Sequence, residues 1–152
     1  MRMRLGRRGD YAVRAVLDLS LHEHDGRRKT REIAHDMNIP ESYLPQILAQ
    51  LVSAGLVRSL AGRDGGYALA QPAEQTNVLD VIEKVEGETK VEDCVLRGGP
   101  CSDHDPCAFH DFWVAGQNAC REQLRATSFA DIVAAGDRWP LRDPSGERTS
   151  LE

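Results

Sequence analysis

A mainly α-helical fold with one small β-hairpin follows from three features of this 152-residue chain. Apolar residues recur at helical spacing in six stretches. Two short apolar runs flank a Gly-rich tip, "GRDGG", near residue 63. Polar or Pro- and Gly-containing segments separate these elements and set their limits.

The first helix is expected over about Gly9 to Glu23. Val13, Val16, Leu17 and Ser20 stand at i, i+3, i+4 and i+7, and Ala12, Ala15 and Leu19 widen the apolar stripe. His22 and His24 close it, where cations suit a helix C-terminus. After the polar turn "HDGRRK", a second helix starts at Thr30 as cap, with Glu32 in its first turn and Ile33, Ala34 and Met37 on its apolar side. His35 lies on its exposed side. It stops at "NIP", because Pro40 disfavours helical geometry in the residue before it. A third helix is predicted from Ser42 as cap to just before Gly55, with Pro45 in the first turn, where its missing amide has no intrahelical partner to lose. Leu44, Ile47, Leu48 and Leu51 form one face; Tyr43, Gln46, Gln50 and Ser53 form a polar one.

"LVRSLAGRDGGYALA" reads as the hairpin. Helix, helix, helix, hairpin over residues 9–70 is the outline of a winged helix-turn-helix. Beyond Pro72, "TNVLDVIEKVEG" is a short helix capped by Thr76 or Asn77, lined by Val78, Val81, Ile82 and Val85, and ended by Gly87. A longer helix is expected from about Pro106 to Leu124, carrying Phe109, Trp113, Gly116, Cys120 and Leu124. A last short one covers Ser128 to Ala135. "GDRWPLRDPSGERTSLE" is polar and rich in breakers, so a disordered tail is expected. The organisation is thus a winged helix-turn-helix over 1–72, a connecting helix, cysteine loop (94–110) and long helix over 73–135, and a tail over 136–152.

Hydrophobic content of 41% and charged content of 28% are ordinary for a globular chain. No run approaches the ~18 apolar residues of a membrane helix, and no apolar signal segment follows the basic N-terminus. A cytoplasmic protein is expected, in a compartment where thiols stay reduced. Net charge is −5, unevenly spread. Residues 1–70 carry 11 Lys and Arg against 8 Asp and Glu; residues 71–152 carry 8 against 16. The first part is the one suited to a polyanion.

In a helix-turn-helix the second helix of the pair enters the major groove. Gln46 and Gln50, one turn apart on helix three, can pair with adenine edges. Ser42, Tyr43 and Ser53 can meet phosphates, and Arg63 at the wing tip is narrow enough for a minor groove. Arg58, Arg31, Arg7, Arg8 and Lys29 would add sequence-independent attraction to double-stranded DNA. A solvated polar helix face would look the same residue by residue; the order of elements favours the DNA reading.

"CVLRGGPCSDHDPCAFH" has little to pack and no helical or strand period. Cys94, Cys101 and Cys107 are spaced C-x6-C-x5-C, and His110 follows at C-x2-H. Thiolates suit iron–sulfur clusters and zinc. Zinc on three Cys and one His is the direct rival, but structural zinc sites use shorter knuckles, which favours a cluster. His104 is a weaker ligand candidate than His110. Cys120, mid-helix, reads as a buried structural thiol. A cysteine nucleophile at Cys107 with His110 as base would need a pocket, and no catalytic motif accompanies it; an enzyme is not expected.

Taken together, "MRLGRRGDYAVRAVLDLSL", "REIAHDMNIPESYLPQILAQLVSAGLVRSLAGRDGGYALA", "LDVIEKVEG" and the cysteine triplet resemble the IscR/NsrR family of bacterial iron–sulfur winged-helix regulators. The likeness covers about residues 3–135. It implies a homodimer formed through long C-terminal helices, and a transcriptional regulator, as a rule a repressor, whose promoter affinity depends on its cluster. IscR-like members hold a 2Fe–2S cluster with a histidine where His110 stands. NsrR-like members hold a 4Fe–4S cluster with an aspartate of the partner's first helix, where Asp10 stands. This sequence carries both. Nitric oxide, redox change or cluster supply is the signal the resemblance implies. The alternative is a zinc-stabilised winged-helix module without sensing.

Overall fold

The computed structural model describes residues 5–87, 104 and 106–136. Cys94, Cys101 and the tail beyond residue 136 lie outside them. The described elements run α1 (Arg7–Leu21), α2 (Thr30–Asp36), α3 (Leu44–Ser53), β1 (Val57–Leu60), β2 (Gly66–Leu69), a 3-10 turn (Ala73–Gln75), α4 (Val78–Glu86), α5 (His110–Ala126) and α6 (Phe129–Ala134). The mainly helical architecture with a two-stranded wing is as the sequence predicts.

Helix α1 is the central element. It packs against α2, α3, α4, α6 and β2, because its apolar residues are spread broadly enough to bury Ala12, Ala15, Val16, Leu17 and Leu19 at once. Leu44, Ile47, Leu48 and Leu51 of α3 are all buried against this core. From the C-terminal side, α4 adds Val78, Leu79, Val81, Ile82 and Val85, and α6 inserts Phe129, which is fully buried. One core therefore runs from α1 to α6, while α5 buries only His110.

Local rules fix the turns. Asn38, at φ 50°, leaves α2 in the left-handed region. Ile39 N–H then bonds the Ala34 carbonyl at 2.9 Å and Asn38 N–H the His35 carbonyl at 3.3 Å. This is a Schellman ending with asparagine in glycine's usual place. The same pattern ends α3: Leu56 N–H to Leu51 O and Gly55 N–H to Val52 O, both 3.0 Å, with Gly55 at φ +75°. Asn77 caps α4 by accepting from Asp80 N–H, and Ser128 caps α6.

Several expected limits shift: α1 runs Arg7–Leu21 rather than Gly9 to Glu23, so His22 is its C-cap and His24 lies beyond it. Thr30 is the first helical residue, not the cap; Lys29 holds the cap position, and the Glu32 carboxylate accepts its N–H at 2.7 Å. Ser42 does not cap α3 either. It sits in a turn closed by Tyr43 N–H on the Pro40 carbonyl at 2.9 Å, so helix begins at Leu44 with Pro45 second, still within the first turn. Helix α5 starts at His110 rather than Pro106, after a turn in which His110 N–H meets the Cys107 carbonyl at 3.0 Å.

The wing is an antiparallel pair, Val57 opposite Leu69 through Leu60 opposite Gly66. A third segment joins it. Arg28 and Tyr67 exchange backbone hydrogen bonds of 2.9 and 2.8 Å. The Arg28 guanidinium turns the other way and meets the fully buried Asp18 carboxylate with two bonds of 2.9 Å. It also pairs with Asp36, and Glu32 stands at 3.8 Å. The bond to Asp18 holds the guanidinium above its ordinary pKa against desolvation, with help from Asp36. His22 adds a ring nitrogen on the Asp18 backbone carbonyl at 2.9 Å.

At the other end of α1, Gly9 N–H donates to the Glu86 carboxylate at 2.9 Å. A Cβ on Gly9 would lie 2.5 Å from that oxygen, so glycine is what lets the last helical residue of α4 reach the α1 N-terminus. A carboxylate there satisfies an orphan amide and complements the helix dipole.

Two predictions follow from these contacts. Arg28→Met strands a buried carboxylate and should cost about 3–5 kcal/mol in urea unfolding, while Asp18→Leu in the same chain should restore most of the loss. Glu86→Ala should cost about 1 kcal/mol in the natural chain but almost nothing in a Gly9→Ala background, where the carboxylate is already displaced.

Candidate nucleic-acid interface and cluster site

Gln46 on α3, and Ser42 and Tyr43 in the turn before it, are exposed, as a groove-reading face requires. Gln50 is only half-buried to solvent, and its side-chain oxygen is enclosed without a hydrogen-bond partner among the described residues. Gln46 is therefore the freer of the two glutamines. Tyr43 is 44% exposed yet touches Tyr11 of α1, ring centroids 6.1 Å apart. The N-cap residue of α3 thus leans on α1.

The predicted cations occupy different places. Arg63 is exposed at the wing tip. Arg58 lies at the wing root, where its Nε donates to the Leu69 carbonyl at 3.1 Å. There it lines a cleft of about 250 Å³ with Glu23 and His24 from the end of α1. Arg31 is exposed on α2, and Arg7 and Arg8 are exposed on the first turn of α1. Lys29 reaches the wing: its Nζ donates to the Arg63 carbonyl at 2.9 Å.

Of the cluster candidates, Cys107 is half-buried in the turn before α5, and His110 is the buried first residue of that helix. The structure therefore brings these two within one turn. Asp10 is held elsewhere, in the first turn of α1, by Arg14 at 3.1 Å. Arg14 also donates to the Met37 carbonyl at the end of α2, at 3.3 Å. Among the described residues no three metal-ligating side chains converge; Cys94 and Cys101 lie outside them. Cys120 is half-buried rather than buried, because α5 is largely exposed. His104 is exposed.

The start of α5 carries an apolar patch. Phe109 is 38% and Phe112 73% exposed. Phe109 stacks near Phe112 and Trp113, at 6.3 and 6.5 Å between ring centroids. One ion pair, Arg121 with Glu83 at 2.9 Å, ties the middle of α5 back to α4.

Sequence reasoning missed Arg14, Arg28 and Glu86, and gave Lys29 only the role of a phosphate-attracting cation. Arg14 was legible as the i+4 partner of Asp10. Arg28 and Lys29 stood in a run of three cations with nothing local to tell them apart. Glu86 gave no signal, since its partner is 77 residues away.

Comparison with known proteins agrees with this geometry. Residues 5–135 match the model of the Rrf2 family, described as iron-dependent transcriptional regulators. The IscR regulator of Photorhabdus laumondii is 38% identical over 131 residues, 86% of this chain and 79% of that protein. The global cysteine regulator CymR of B. subtilis superposes with a TM-score of 0.77 at 25% identity, covering 90% of this chain and all of that one. T. potens IscR superposes with a TM-score of 0.70 at 29% identity, covering 89% of each. These relatives are regulators, and the chain is not an enzyme. Among the described residues no helix is long and apolar enough to cross a membrane. The IscR-type kinship read from the wing and cysteine motifs is confirmed: the chain belongs to the Rrf2 family of transcriptional regulators.

Proposed function

We propose that the chain is a cytoplasmic, homodimeric promoter-binding repressor whose DNA affinity is set by an iron–sulfur cluster on Cys94, Cys101, Cys107 and His110. The observation that supports the cluster is the placement of Cys107 in the turn before α5, where its carbonyl accepts from the N–H of His110, the first residue of that helix. The donor set fits. Cys107 precedes the N-terminus of a 17-residue helix, where the dipole favours a thiolate. His110 offers an imidazole beside it without recruiting a second subunit. Asp10, already paired with Arg14, is the ligand that would replace it, supplied as Asp10 of the partner subunit.

When bound, the cluster supplies a redox-active metal corner that nitric oxide or an oxidant can attack. The chain's own residues do the rest. The exposed Phe109 and Phe112, with Trp113, give α5 an apolar surface for a second copy. The Arg121–Glu83 pair fixes α5 against α4, and α4 shares its core with α1 and α3. A change at the cysteine loop is thereby felt where Tyr11 supports Tyr43. Gln46, Ser42 and Tyr43 would meet the major groove, Arg63 the minor groove, and Arg31, Arg7 and Arg8 the phosphates. Gln50 would read bases only after its enclosed oxygen turns outward, and Arg58 would meet the backbone from the wing root.

Anaerobically prepared protein should be brown and should bind a palindromic promoter duplex. Nitric oxide should change that affinity by about 5- to 150-fold, the range of ordinary allosteric coupling. Cys107→Ser should be colourless yet folded. His110→Ala should alter the visible and EPR spectra while Asp10→Ala leaves them unchanged; the reverse pattern moves the fourth ligand to Asp10. A colourless protein holding stoichiometric zinc, or equal affinity with and without the cluster, overturns the sensing function.

A further inference from the structure

Lys29 sits between two fixed points. On one side its neighbour Arg28 is paired to Tyr67 of the wing through backbone bonds. On the other, its own N–H is held by Glu32 in the first turn of α2. Its backbone therefore has little freedom, and its stem starts from a rigid base. The side chain lines a cleft of about 380 Å³ between α2 and the wing, with Thr30, Ser59, Leu60, Gly62 and Gly66. It ends on the Arg63 carbonyl at 2.9 Å. Inside the wing loop, Gly65 N–H bonds the Gly62 carbonyl at 3.1 Å. Lys29 adds a bond that reaches the tip from outside the hairpin, to the very residue whose guanidinium faces solvent.

We propose that Lys29 is the positioning residue of the wing, whose ammonium holds the Arg63 backbone and so fixes where the Arg63 side chain meets DNA. This goes beyond a role as one more phosphate-attracting cation, and it rests on the DNA-binding reading. A tether of this kind makes Arg63 effective by removing loop entropy before binding. A phosphate contact would act on its own. The two roles differ in whether Lys29 and Arg63 are coupled.

The test uses the full chain with Lys29→Met, Lys29→Arg and Arg63→Ala. In the DNA-free protein, Lys29→Met should speed amide exchange at Gly65 and leave α3 amides unchanged, and Lys29→Arg should restore protection. The DNA probe is a duplex selected from a random pool by the natural chain. Lys29→Met should weaken its binding about tenfold and erase minor-groove protection in a hydroxyl-radical footprint, with major-groove contacts kept. Arg63→Ala should cost a similar factor in the natural chain but less than about twofold in the Lys29→Met background. Unchanged Gly65 exchange, or losses that multiply, would reduce Lys29 to a phosphate contact and overturn the proposal. If the natural chain selects no duplex, the DNA-binding reading fails, and the exchange data alone still accept or reject the tether. Lys29→Gln replaces Lys29→Met if the latter does not fold.

Discussion

The pairing of Arg28 with the buried Asp18, completed by the partly exposed Asp36, is the constraint on which the DNA-reading half depends. Burying a carboxylate completely is costly unless its partner meets it with good geometry, and Asp18 accepts two guanidinium bonds of equal length. The three charges come from α1, from the segment before α2, and from the last residue of α2. Because the Arg28 backbone is also a strand partner of Tyr67, the same residue sets the angle of the wing to the helices. Apolar packing determines how deep α3 sits, through Leu44, Ile47, Leu48 and Leu51; electrostatics determines where the wing stands beside it.

The helices were legible where one apolar stripe decides the outcome. For α3 and α4 the periodic residues named their own buried faces, and the Gly55 and Asn77 signals stopped and started them where expected. Caps were less legible, because a cap rule weighs a local side chain while the fold weighs the whole turn. Thr30 is a better acceptor than Lys29, but the Arg28–Tyr67 pairing fixes the chain one residue earlier. Ser42 could have capped α3, but the Pro40 carbonyl draws it into a turn first. The start of α5 was misjudged for a similar reason: residues 106–109 are needed to bring the Cys107 carbonyl to His110.

The candidate site was legible in its chemistry and not in its placement. Spacing alone put Cys107 and His110 on adjacent positions of a turn. Sequence could not show that Gln50 tucks its oxygen inward while Gln46 stays open, nor that Arg58 belongs to the wing root and Arg63 to its tip. Those distinctions arise from how strands and helices pack at a distance. They are the same kind of information that hid Glu86 on the amide of Gly9.

Gly66 shows what this packing implies for motion. It lies at φ +149°, and a Cβ there would come within 2.7 Å of the Arg28 carbonyl. The hairpin is thus pressed flat against residues 27 and 28, which are anchored through Asp18 to the longest stretch of the core. Any displacement of the hairpin's base must therefore carry the segment before α2 with it, so the wing and the entry to α2 respond to a disturbance as one piece.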